Sequence, residues 1–245
     1  MVRRRVLLVL AFAFSLLFGA GAVAQAAPGP LGRLDLGSLG GPATQGCSVA
    51  SYDGNSRYGP QTFSTQPPTG RQLAGYQRFG SYTGVDAARN FDEKYYDADA
   101  KWWIYPPEQG YVLDRNKQPI KHKKSLPVGT RMDRYGGEGG NFLAVPGTKY
   151  AARALPPSNL SGPQGQEQYC NYHVYEVIKT FSVDTGRIAP WFAQRGGGIQ
   201  YQVVRSYLDD PSYPQCISFI NQDGTLSVGW LKCAGYLRQS FPAVS

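Results

Sequence analysis

Tyr172-His173-Val174-Tyr175-Glu176-Val177-Ile178 is the stretch on which the fold turns. It alternates with a period of two, placing His173, Tyr175 and Val177 on one face and Tyr172, Val174, Glu176 and Ile178 on the other. Neither face is plainly polar, so the spacing predicts a strand buried on both sides. Outward from it lie shorter runs of the same kind, separated by Gly, Pro and Asn. They are Tyr111-Val112-Leu113, Asn141-Phe142-Leu143-Ala144-Val145, Ile199-Gln200-Tyr201-Gln202-Val203-Val204 and Thr225-Leu226-Ser227-Val228. The pattern describes an α+β, mostly β fold: a compact antiparallel-sheet domain over residues 101–245, long enough to bury a core.

Upstream the pattern weakens. Residues 46–100 hold Tyr, Phe, Gly, Ser, Thr and Pro with little periodicity and read as a small irregular or helical N-terminal subdomain. Its best helix is expected over 85–95, where Asp86, Ala87, Ala88 and Arg89 are tolerable or good helix formers. Residues 27–45 are rich in Gly, Pro, Ala and Leu and read as a linker. Residues 1–26 read as an export signal, with Arg3, Arg4 and Arg5 before an apolar run and small residues after it. That run is shorter than the roughly 20 residues a membrane-spanning helix needs, so a secreted, extracellular chain with no membrane partner is expected.

The formal charge is +8, and removing the three arginines of the signal leaves +5. The one dense basic run, Lys121-His122-Lys123-Lys124, reads as a solvated turn between strands, so no nucleic-acid partner is expected. Cys47, Cys170, Cys216 and Cys233 all follow the signal, and an even count in an oxidising compartment favours two disulfides. Three connectivities are open. Cys216 with Cys233 and Cys47 with Cys170 is favoured, because the first pair brackets an Asn221-Gln222-Asp223-Gly224 turn and the second would tie the N-terminal part to the core. No Cys-x-x-Cys pair occurs and the chain has two histidines, so no metal site is expected from the cysteines.

A spaced set of chemically matched residues points to function: Arg134-Tyr135-Gly136, then Phe142, Arg153, and Gly196-Gly197-Gly198-Ile199-Gln200. Cations, aromatics, a glycine turn and an amide suit an anionic ligand carrying a flat ring. A Ser-His-Asp hydrolase is disfavoured, since no Gly-x-Ser-x-Gly elbow occurs.

In order and spacing, several motifs between Trp103 and Val204 resemble the NAD glycohydrolase family typified by tuberculosis necrotizing toxin, which includes secreted fungal NADases. They are Tyr105-Pro106-Pro107-Glu108-Gln109-Gly110-Tyr111, Val128-Gly129-Thr130-Arg131-Met132-Asp133-Arg134-Tyr135-Gly136, Gly140-Asn141-Phe142-Leu143, Arg153-Ala154-Leu155-Pro156-Pro157, and Gly186-Arg187-Ile188-Ala189-Pro190-Trp191-Phe192 leading into the glycines. The resemblance implies hydrolysis of NAD⁺, with NADP⁺ as a second substrate to test, to nicotinamide and ADP-ribose. It places Gln200, Arg153 and Arg134 in the catalytic site and Tyr135, Phe142, Gly197 and Gly198 at the substrate. No cofactor beyond the substrate is implied. Glu138 is the candidate carboxylate for the developing positive ribose, although a glutamate between glycines also suits a solvated turn.

The chemistry agrees with that reading. The nicotinamide nitrogen already carries positive charge and leaves as a neutral molecule, so the paired carboxylates of an O-glycosidase are not required. Two other readings compete: an ADP-ribosyl transferase or cyclase using the same nucleotide site, for which Gln166-Glu167-Gln168 is the nearest motif, and a non-enzymatic disulfide-stabilised binding module. Ca²⁺ stays open and unassigned, with Asp209-Asp210 and the 221–224 turn as oxygen sources. Asn159-Leu160-Ser161 fits a glycosylation acceptor. A homodimer, by resemblance, is one partner to look for, and an immunity or inhibitor protein is another that the sequence leaves open.

Overall fold

The computed structural model describes residues 46–209 and 212–242. The expected export signal and linker lie outside the described residues. Seven strands form one antiparallel sheet: β3 (Lys121–Leu126), β4 (Arg131–Tyr135), β5 (Phe142–Ala144), β6 (Tyr172–Val177), β7 (Phe181–Arg187), β8 (Ile199–Val203) and β9 (Leu237–Phe241). Their order across the sheet is β3-β7-β8-β5-β4-β6-β9. A two-stranded ladder, β1 (Tyr96–Asp97) with β2 (Trp102–Trp103), stands apart. Among the described residues four short α-helices, α1 (Thr69–Leu73), α2 (Ala87–Tyr95), α3 (Tyr150–Arg153) and α4 (Val228–Cys233), accompany the sheet together with several 3-10 turns. The α+β, mostly β expectation agrees with this architecture.

β6 lies between β4 and β9, and all its residues but Glu176 are buried. The register explains how. Met132 pairs with Tyr175 and Arg134 with His173 on one face, while Asp133 pairs with Val174 and Tyr135 with Tyr172 on the other. The first face carries the main core, where Met132, Tyr175, Val177, Val183 and Tyr201 pack with Trp230 and Leu231 of α4. On the second face Tyr135, Tyr150, Tyr172 and Val174 pack with Leu73 and Tyr76. A third cluster is almost wholly aromatic and joins Tyr58, Phe79, Phe91 and Tyr95 to Trp103 and Phe192. Residues 46–100 thus share two of these cores with the sheet-bearing part of the chain.

α2 forms close to the expected 85–95. Ala87, Phe91 and Tyr95 recur every four residues and bury one stripe against the aromatic cluster. Both favoured disulfides are present, Cys47–Cys170 and Cys216–Cys233, with Cα separations of 5.1 and 5.7 Å.

Three local expectations differ from the structure. Tyr111-Val112-Leu113 is not a strand: Tyr111 and Leu113 make only isolated bridges, to Ile188 and Pro119. Lys121-His122-Lys123-Lys124 is not a turn but most of edge strand β3, paired to β7 alone, with those four side chains exposed. Lysines on an edge strand keep it soluble and discourage pairing with another chain, which is why the run looked like a loop. Thr225-Leu226-Ser227-Val228 is not a strand: only Leu226 bridges, to Ile220, and Ser227 caps α4 by accepting the Trp230 N–H at 3.1 Å.

Candidate active site

A cleft of about 540 Å³ opens over the β4, β5 and β8 part of the sheet. Its floor follows from the register. Gln200 on β8 stands between Ala144 of β5 and Gly186 of β7, so its neighbours across both ladders are small. The side chain is buried, and its Nε2 donates to the Gln109 carbonyl at 3.0 Å, which fixes the amide plane. Gln202, two residues on and facing the same side, also lines the cleft, and its buried Oε1 has no hydrogen-bond partner among the described residues. Phe142 and the exposed Trp102 and Tyr105 add aromatic surface to the walls.

Arg134 is the cation of this cleft. It sits near the end of β4, where the chain turns through Gly136-Gly137-Glu138-Gly139-Gly140 towards β5. Its Nε donates to the Gly136 carbonyl at 3.1 Å and its Nη1 to the Phe142 carbonyl at 2.8 Å. Among the described residues it forms no ion pair. Burial lowers its pKa, while Tyr175, Glu138 and Tyr105 pull the other way. Among the described residues this guanidinium is held by carbonyls rather than by a paired carboxylate, a geometry that suits an anion.

Arg153 also lines the cleft but is committed elsewhere. Its Nη1 and Nη2 grip Asp133 Oδ1 and Oδ2 at 2.6 and 2.8 Å, Nη2 also donates to Gln72 at 3.1 Å, and Nε donates to the Thr148 carbonyl at 3.1 Å. Both charged side chains are almost wholly buried. Asp133 further accepts from the Tyr172 hydroxyl at 2.8 Å and the Gly147 N–H at 3.2 Å. The pair is therefore a neutral, hydrogen-bonded floor joining β4, α3 and α1.

The other expected site residues fall in different places. Tyr135 also lines the cleft, but it is 1% exposed and its ring packs edge-on against Tyr150 at 4.9 Å, within the second core. Burial raises its pKa, and among the described residues its hydroxyl has no hydrogen-bond partner. Gly197 and Gly198 do not line the cleft; they shape the loop that feeds β8. Gly197 N–H donates to Ile188, Gly198 N–H donates to Ala152, and a Cβ at 198 would lie 2.7 Å from the Ala152 carbonyl. Glu138 does not line the cleft either. It pairs with Lys232 of α4 at 2.6 Å and accepts from the Tyr175 hydroxyl at 3.1 Å.

Several lining residues were not singled out from sequence. Asp133 directly precedes Arg134, and Gln202 follows Gln200 at strand spacing; that spacing was the available signal. Asn159, in sequence only a glycosylation acceptor, lines the cleft and donates to the Tyr135 carbonyl at 3.3 Å. The 221–225 turn spends its polar groups on itself: Asp223 Oδ1 accepts from Thr225 N and Oγ1, and Asn221 donates to Thr225. Among the described residues no group of three His, Cys, Asp or Glu side chains is placed to hold a metal. Asp210 lies outside them.

With this geometry in hand, the chain can be set beside known proteins. Residues 125–240 match the family model described as tuberculosis necrotizing toxin. The chain is 44% identical over 161 residues to the conidial surface nicotinamide adenine dinucleotide glycohydrolase of Aspergillus fumigatus, covering 64% of this chain and 67% of that protein. Among solved structures, tuberculosis necrotizing toxin complexed with its immunity factor is 20% identical with a TM-score of 0.42, covering 78% of this chain and 80% of that one. The chain belongs to the tuberculosis necrotizing toxin family of NAD glycohydrolases.

Proposed function

We propose that this chain hydrolyses NAD⁺ to nicotinamide and ADP-ribose. The observation that carries the reading is Arg134, which among the described residues forms no ion pair and lines the same cleft as Gln200 and Phe142. The Arg134 guanidinium binds the diphosphate, for which its planar donors are suited. Phe142 offers its face to the nicotinamide ring, a contact worth on the order of 1 kcal/mol beyond burial. Gln200, its amide held by Gln109, orients a ribose hydroxyl or the attacking water without adding charge.

In the reaction the bond from ribose C1′ to the pyridinium nitrogen breaks, and its electron pair neutralises the ring. Water oxygen bonds to C1′ and its proton passes to solvent. The site therefore needs no acid for the leaving group. Its contribution is placement, which can supply a large share of a rate enhancement. Arg153 acts beneath the substrate by keeping Asp133 neutralised in the floor. Two disulfides support action outside the cytoplasm.

Product analysis tests hydrolysis against transfer. The full chain, produced through a secretory route, is incubated with NAD⁺ in the presence and absence of acceptor proteins. Equimolar nicotinamide and free ADP-ribose are expected in both. ADP-ribose attached to the acceptor, or a cyclic product, would overturn the hydrolytic reading.

A further inference from the structure

The loop that holds Arg134 is itself held by α4. The carbonyls of Gly140 and Glu138 accept the N–H groups of Val228 and Gly229 at 2.9 and 3.0 Å, so the loop satisfies two donors that a helix start leaves unpaired. One helical turn further on, Lys232 reaches back to the Glu138 carboxylate at 2.6 Å. The same oxygen accepts from the Tyr175 hydroxyl of β6, and Lys232 also donates to Gln239 of β9 at 3.2 Å. From the other side, the loop gives Arg134 its Gly136 carbonyl. It also supplies the bare Cα of Gly140, where a Cβ would lie 2.6 Å from the guanidinium. α4 ends at Cys233, which the disulfide fixes to Cys216.

We propose that Glu138 is a positioning residue: through Lys232 and Tyr175 it fastens the 136–140 loop to α4 and β6, and so sets where the Arg134 guanidinium lies. Its carboxylate faces this latch rather than the substrate. The pair is half-buried, with both side chains less than 30% exposed, so solvent screens it less than an exposed ion pair. The inference rests on the reading of Arg134 as the diphosphate ligand, and it assigns Glu138 no chemical step.

Glu138→Ala, Glu138→Gln and Lys232→Met in the full chain test it. The readouts are NAD⁺ kinetics well below the melting temperature and the ¹⁵N–¹H signal of Arg134 Nε, assigned with Arg134→Lys. Glu138→Ala and Lys232→Met are expected to raise KM on the order of tenfold with a smaller change in kcat, because a displaced ligand-binding group weakens binding. The Nε signal should lose its exchange protection as its bond to Gly136 loosens. Glu138→Gln, which keeps an acceptor oxygen, should fall between wild type and Glu138→Ala. Unchanged KM and an unchanged Nε signal, with only the melting temperature lowered, would overturn the proposal. If wild type itself fails to turn over NAD⁺, the hydrolytic reading falls, and the Nε signal alone decides whether Glu138 positions Arg134.

Discussion

Gly140 leaves the space that the Arg134 guanidinium occupies: a Cβ at 140 would lie 2.6 Å from Nη2 and 2.8 Å from Nη1. The glycine at this position is required by the arginine and not by its own backbone. Its φ does not lie in the left-handed region, unlike that of Gly136 at +100°. Gly140→Ala is therefore expected to push the guanidinium out of place while the strands stay intact. Steady-state kinetics should show KM for NAD⁺ raised on the order of tenfold or more. A KM equal to wild type would mean that Arg134 does not grip the substrate.

Arg153 calls for a different expectation. Removing it as Arg153→Met leaves Asp133 buried and unpaired, which typically costs about 3–5 kcal/mol. Chemical denaturation should record that loss. Arg153→Met combined with Asp133→Leu should recover part of it, since no buried charge then remains. If Arg153→Met lowers turnover but leaves stability untouched, the ion pair is not what fixes this arginine.

Gln200→Ala separates placement from packing. The substitution removes the side chain's hydrogen bonds to the Gln109 carbonyl and to the Tyr111 hydroxyl, each worth about 1 kcal/mol of stability. The loss of kcat/KM should be far larger, on the order of 100-fold, if the amide orients a reacting group. Parallel measurements of melting temperature and kcat/KM distinguish the two. A rate within a factor of two of wild type would remove Gln200 from the mechanism.

His173 makes stability depend on pH. Burial lowers its pKa; Glu138 opposes the shift, while Arg134 and Lys232 reinforce it. Its contacts suit the neutral ring, with Nε2 donating to Asn171 at 3.0 Å and Nδ1 accepting from Gln239 at 3.3 Å. Because the unfolded chain takes up this proton more readily, the contribution is complete above about pH 6.5 and declines as pH falls below it. Melting temperatures from pH 8 to 5 should fall more steeply for wild type than for His173→Gln. Parallel curves would exclude His173 as the source.

The run at 172–178 was legible because burial on both faces leaves an alternating pattern with no polar side. β7 and β9 were not, since Ser182, Asp184 and Arg187 in one and Arg238, Gln239 and Ser240 in the other mask the β pattern with polar groups. In the site, Arg134, Phe142 and Gln200 line the expected cleft. Tyr135 lines it too and shares the sheet face of Asp133 and Gln200, but its ring is packed against Tyr150 and Tyr172. Glu138 and Arg153 were ambiguous for one reason: residue type gives charge, but the partners Lys232 and Asp133 lie 94 and 20 residues away. Only the fold reveals those pairings.

Arg134, which among the described residues forms no ion pair, is proposed to hold NAD⁺ for hydrolysis. Nicotinamide release from NAD⁺, followed chromatographically for the wild-type chain and for Arg134→Met at matched melting temperatures, tests it most directly. Steady release by wild type and a loss on the order of 100-fold or more in kcat/KM for Arg134→Met is the expected result. Folded wild-type protein that releases no nicotinamide, or an Arg134→Met variant as active as wild type, would contradict it.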